Sequence, residues 1–68
     1  MWTAARIKEL REAFGDTQEQ FAHRICVSVP TVKHWEQGKG GPLGPARLLL
    51  DRLQKDINEE LKNQKQPA

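Results

Sequence analysis

Thr17-Gln-Glu-Gln-Phe-Ala-His-Arg-Ile-Cys-Val-Ser-Val-Pro-Thr-Val-Lys-His-Trp-Glu-Gln-Gly38 is the stretch that decides the fold. It holds two short helical patterns, each opened by a hydroxyl residue suited to accept from the free N–H groups of a first turn. The first opens at Thr17, with Gln20 three residues on as in a capping box, and sets Phe21, Ala22 and Ile25 on one side. The second opens at Ser28 and carries Pro30 in its first turn, where a missing N–H does little harm. Gly38 closes it. Cys26 and Val27 leave room between the two for nothing but a tight corner.

Upstream, Thr3 is a cap for a helix whose apolar positions Ile7, Leu10 and Phe14 follow one helical face, and Gly15 ends it. Downstream, the loop Gly38-Lys-Gly-Gly-Pro-Leu-Gly44 leads to Pro45, a good first helical residue, and no breaker follows until Pro67. No stretch alternates with period two and no repeat is visible. These signals predict an all-α fold, a compact four-helix unit with an extended fourth helix. One domain is expected over residues 1–62, with a two-helix unit at 17–38 and a tail at 63–68 that frays.

Sixty-eight residues suffice for one small core, which leaves little material for an active-site cleft. Hydrophobic residues make up 37% and charged residues 29%, an ordinary globular balance. The single cysteine excludes an internal disulfide framework, and no long apolar run or charged-then-apolar leader marks membrane insertion or export. The cytoplasm is the expected compartment and no cofactor is implied. Net charge is only +2, but its distribution is uneven: residues 1–50 carry seven Lys/Arg against five Asp/Glu, while residues 51–68 carry four of each. The basic excess lies with the two-helix unit, and its small size predicts modest non-specific affinity for a polyanion.

Turning the third helix by about 100° per residue shows what its faces can do. With Val32 toward the core, Val29, Trp35 and the stem of Glu36 fall on or near the same side, while Pro30, Lys33, His34 and Gln37 fall opposite and Thr31 lies at the edge. The outer face is a row of donors and acceptors with one fixed positive charge, of a size to enter the DNA major groove. Lys33 and His34 can donate to guanine O6 or N7, and Gln37 can reach adenine or a phosphate. The methyls of Val29 and Thr31 can touch a thymine methyl. Any exposed helix face is polar, so the weight rests on its position after a capped helix and a tight corner, the arrangement of a helix-turn-helix.

The run Gly15-x-Thr17-Gln18-x-x-Phe21-Ala22, then Val27-Ser28-x-x-Thr31-Val32-x-x-Trp35-Glu36-x-Gly38, resembles the DNA-binding unit of Cro- and repressor-type (Xre-like) helix-turn-helix regulators. The likeness extends over Ile7-Lys-Glu-Leu-Arg11 and Gly41-Pro-Leu-Gly-Pro-Ala-Arg-Leu-Leu-Leu50, and it is similar in particular to short members related to antitoxins and small transcriptional regulators. The resemblance implies that Gln18 bonds a DNA phosphate while orienting the recognition helix. It implies that Val29, Pro30, Thr31, Lys33 and His34 contact bases, and that Thr17, Gln18, Ser28, Gln37, Lys39 and Gly40 contact the phosphate backbone. It implies also that Arg11 and Glu36 form a partly buried ion pair joining the first helix to the end of the third.

This chain departs from the family pattern in three places. Cys26 stands where a corner glycine is usual, so a positive φ there would cost about 1 kcal/mol. Val29 and Pro30 replace polar readers, which shifts direct readout toward Lys33 and His34. Gly40-Gly41 replaces a more basic loop and weakens the electrostatic contribution from that side.

Other residues carry plainer readings. His23, Cys26 and His34 lack a fourth ligand and His34 rotates outward, so no metal site is expected. Cys26 reads as a small residue at a half-buried corner, with no base and pocket to make it a nucleophile. Trp35 is a core anchor and Trp2 packs against the first helix. In the fourth helix, Ala46, Leu49, Leu50 and Leu53 complete the core while Ile57 and Leu61 extend the apolar stripe, with Asp51–Lys55 and Arg52–Asp56 pairs on the wet side. The stripe Leu50, Leu53, Ile57, Leu61 predicts a homodimer or partner seam.

Two functions follow as expectations. One is a sequence-specific transcriptional regulator, a repressor, binding double-stranded DNA as a homodimer with the helix at 29–37 in the major groove. The other is an antitoxin-like protein-interaction module that uses the fourth helix to hold a toxin or similar partner, with DNA binding secondary. Neither is an enzyme or a membrane protein.

Overall fold

The four expected helices and their caps are realised in the computed structural model, which describes residues 2–65. Four α-helices follow one another: α1 (Ala4–Ala13), α2 (Gln18–Arg24), α3 (Val29–Glu36) and α4 (Pro45–Lys65). The Thr3 hydroxyl accepts from the Arg6 N–H at 3.2 Å. At α2 the capping box is complete, with Gln20 N–H donating to Thr17 Oγ1 at 3.1 Å and Thr17 N–H donating to Gln20 Oε1 at 2.8 Å. Ser28 caps α3 by accepting from Thr31 N–H at 3.4 Å.

The first three helices end alike. At α1, Gly15 N–H donates to the Glu12 carbonyl and Asp16 N–H to that of Arg11; at α2, Cys26 pairs with His23 and Val27 with Ala22; at α3, Gly38 pairs with Trp35 and Lys39 with His34. This is the Schellman arrangement, which satisfies the last carbonyls and turns the chain sharply through one left-handed residue. That residue is Gly15 at φ +72°, Cys26 at φ +58° and Gly38 at φ +77°. The corner thus keeps the glycine conformation with a cysteine in it. The Cys26 side chain is exposed, not half-buried as its corner position suggests.

The core draws on all four helices: Ile7 and Leu10 from α1, Phe21 and Ala22 from α2 with Ile25 at its cap, Val32 and Trp35 from α3, and Leu50 and Ile57 from α4. Each such large side chain contributes about 1.5–3 kcal/mol through burial. Trp2 lies against this cluster, stacks under the Arg6 guanidinium at 4.4 Å and donates from its indole N–H to Asp51 Oδ1 at 2.7 Å. Its contact therefore reaches α4 as well as the first helix, and it occupies the carboxylate that the sequence assigns to Lys55.

Helix α4 corrects two expectations. Leu50 is fully buried, Ile57 is 8% exposed and Leu53 is half-buried against the core, so the stripe read as a docking seam is mostly consumed by the chain's own interior. Only Leu61 of that set is exposed, at 45%. The large apolar side chains left in the open are instead Leu43 at 82% and Leu48 at 71%, around the start of the helix. The helix also runs past residue 62 to Lys65, since nothing before Pro67 breaks it; residues 66–68 of the expected tail lie outside the described residues. Its length draws the molecule out to 42 × 21 × 20 Å.

Candidate nucleic-acid interface

One carboxylate organises the interface. Glu36, at the end of α3, receives Arg11 Nε at 2.8 Å and Arg11 Nη2 at 3.1 Å, a bidentate pair, and Gln18 Nε2 at 3.3 Å. Arg11 also donates from Nη1 to the Asp16 carbonyl at 3.0 Å. The end of α1, the corner after it, the start of α2 and the end of α3 are thereby tied together. The pair is largely withdrawn from water, with Arg11 and Glu36 side chains 15% and 8% exposed. The Arg11 pKa is raised, first by its hydrogen bond to Glu36 and then by the Coulomb fields of Glu36, Glu12 and Asp16, against an opposing desolvation. Gln18, the first residue of α2, is thereby joined to the end of α3.

A second clamp has no local signature in the sequence. Arg24, the last residue of α2, donates to Asp16 Oδ2 at 2.7 Å and Oδ1 at 3.0 Å, and its guanidinium lies over the Phe14 ring at 4.3 Å. Its pKa is raised, chiefly by the hydrogen bond to Asp16. Arg24 and Arg11 are thus both paired with carboxylates. His23 stands apart from the α3 face, in a shallow groove with Asp16, Glu19, Gln20 and Arg24.

The frame presents the residues expected to read DNA unequally. Pro30, Lys33, His34 and Gln37 are exposed on the outer side of α3. Val29 is half-buried and packs on the core, and Thr31 is half-buried with its hydroxyl 2.7 Å from that of Ser28. Thr17 and Ser28 are exposed, but their oxygens already serve as caps. Lys39 and Gly40 lie exposed just beyond α3. The His34 ring rests on this loop, for a β-carbon at Gly40 would stand 3.2 Å from its Cδ2 and 3.3 Å from its Nε2. Rotation about the helix axis predicts that His34 points outward; it does not reveal that the returning chain meets it there.

Two capped helices around a left-handed corner, with the second exposing a polar edge and pinned at its end, define a helix-turn-helix protein. The profile of the Cro/repressor-type, Xre-like helix-turn-helix family matches residues 7–59, and the chain belongs to that family of DNA-binding regulators. No solved structure matches the chain. Among the described residues, no helix is long and apolar enough to cross a membrane.

Proposed function

We propose that this protein is a sequence-specific transcriptional regulator, a repressor acting in the cytoplasm, which binds operator DNA as a homodimer with one α3 per half-site in the major groove. The observation that supports this reading is the exposed edge Pro30–Lys33–His34–Gln37 on a helix whose end is held by Glu36, Arg11 and Gln18. A reading helix is useful only if its pitch relative to the phosphates is held, and that three-part tie holds it. Pairing supplies what a monomer of small net charge lacks, because two modest half-site affinities combine on one duplex. The antitoxin-like alternative rests on Leu53, Ile57 and Leu61, of which only Leu61 is exposed.

The test is a titration of binding to random duplex DNA across salt concentrations, followed by selection from a random DNA pool. Binding that weakens steeply with salt and a palindromic selected site support the reading. Undetectable binding at low salt, or binding indifferent to salt, overturns the DNA part; a selected site with no symmetry and a 1:1 complex overturns the homodimer.

A further inference from the structure

We infer that His34 is not a base reader in this chain but part of a phosphate clamp formed with Lys39 and Gly40, so that direct readout narrows to Pro30, Lys33 and Gln37. This rests on the DNA reading above. The left-handed turn at Gly38 sends the chain back along the last turn of α3, where Lys39 N–H bonds the His34 carbonyl at 3.1 Å. Gly40 then passes beneath the imidazole. The spacings of 3.2 and 3.3 Å to an imagined β-carbon are tighter than ordinary contact, so the ring occupies space that exists because residue 40 has no side chain.

That placement sets the imidazole against Gly40, next in sequence to Lys39, so an imidazole N–H, an ammonium and a backbone amide, three donors, belong to residues that meet there or adjoin in sequence. Lys39 and Gly40 belong to the loop beyond the recognition helix, and a phosphodiester oxygen accepts from all three donor types. A base edge would require the ring to leave the loop. Lys33 and Gln37, four residues apart on the outer side of α3, remain to address neighbouring base pairs, with the Pro30 ring one turn earlier offering apolar contact to a thymine methyl. The histidine then supplies part of the hydrogen bonding that Gly40-Gly41 does not.

The experiment uses the full chain, its selected duplex and the set of single base-pair variants of that duplex. His34→Ala is expected to weaken binding about five- to tenfold on every duplex and leave the order of preference unchanged. Lys33→Ala, in contrast, flattens preference about tenfold at one position. Gly40→Ala displaces the ring and gives a similar uniform loss, while the double variant binds no worse than His34→Ala alone. Thermal melts of all three variants matching the parent show that these exposed sites act on binding rather than folding. A loss from His34→Ala confined to particular base pairs, or losses from the two single variants that multiply, overturns the clamp while leaving the DNA reading intact. Failure of the parent chain to bind any duplex overturns both.

Discussion

The helix-turn-helix frame and helix α4 are held in place by different means. In the frame, every helix end has a local device: a hydroxyl cap at the start of each of the three helices and a left-handed Schellman residue after it. Two bidentate arginine–carboxylate pairs then fasten the pieces. Helix α4 is placed chiefly by its apolar face. Burial of Leu50 and Ile57, partial burial of Leu53, and the Trp2–Asp51 hydrogen bond decide where it lies. A reading helix needs orientation, which directional bonds provide, whereas a supporting helix needs only to cover apolar surface, for which non-directional burial suffices.

Five substitutions probe this difference. The largest effect is expected at Leu50→Ala, where removing a fully buried side chain should cost about 2–5 kcal/mol in urea unfolding. A cost below about 1 kcal/mol would mean that α4 is not held by its apolar face. Next is Glu36→Ala, which strands Arg11 and releases Gln18; about 2–3 kcal/mol is expected, below the cost for a fully buried pair because Arg11 keeps some exposure. The raised Arg11 pKa gives that cost a pH signature. A group whose folded pKa is raised contributes its full stability below the unfolded pKa and loses it as pH rises through the folded value. For arginine both values are strongly alkaline, so the stability difference between parent and Arg11→Gln should stay level across the neutral range.

Cys26→Gly should sharpen the frame. Relief of a left-handed non-glycine residue gains about 1–2 kcal/mol, and the greater freedom of glycine in the unfolded chain returns about 0.5–1 kcal/mol. A net rise in stability of about 0.5–1 kcal/mol is expected in thermal unfolding, and a fall would show that the Cys26 side chain makes a contact worth more than the strain. The smallest effect belongs to Leu61→Ala, within about 0.5 kcal/mol for the monomer, because the α4 core ends at Ile57. A larger loss that depends on protein concentration would return Leu61 to an interface.

Much of the fold is legible in the sequence because the signals act over a few residues. Thr17 with Gln20 announces its capping box, and Gly15 and Gly38 announce their turns, through bonds that span one helical turn. The Arg11–Glu36 pair is legible only through family resemblance, since nothing in the spacing of the two residues connects them. The Arg24–Asp16–Phe14 clamp leaves no trace at all. Ile57 escapes for a related reason: periodicity shows that it shares a face with Leu50 and Leu53, but how far the rest of the core extends along that face is not a local property.

The sequence by itself determined the four helices, their caps, the sharp corners and the polar edge of α3, because hydrogen bonds to near neighbours and a 3.6-residue period are written into adjacent residues. Only the tertiary structure decided which carboxylates the arginines take, that Trp2 bonds Asp51 from 49 residues away, that Ile57 is interior, and that His34 lies on Gly40. Those outcomes depend on where separate elements meet, and a one-dimensional pattern carries the direction of a side chain but not what waits for it.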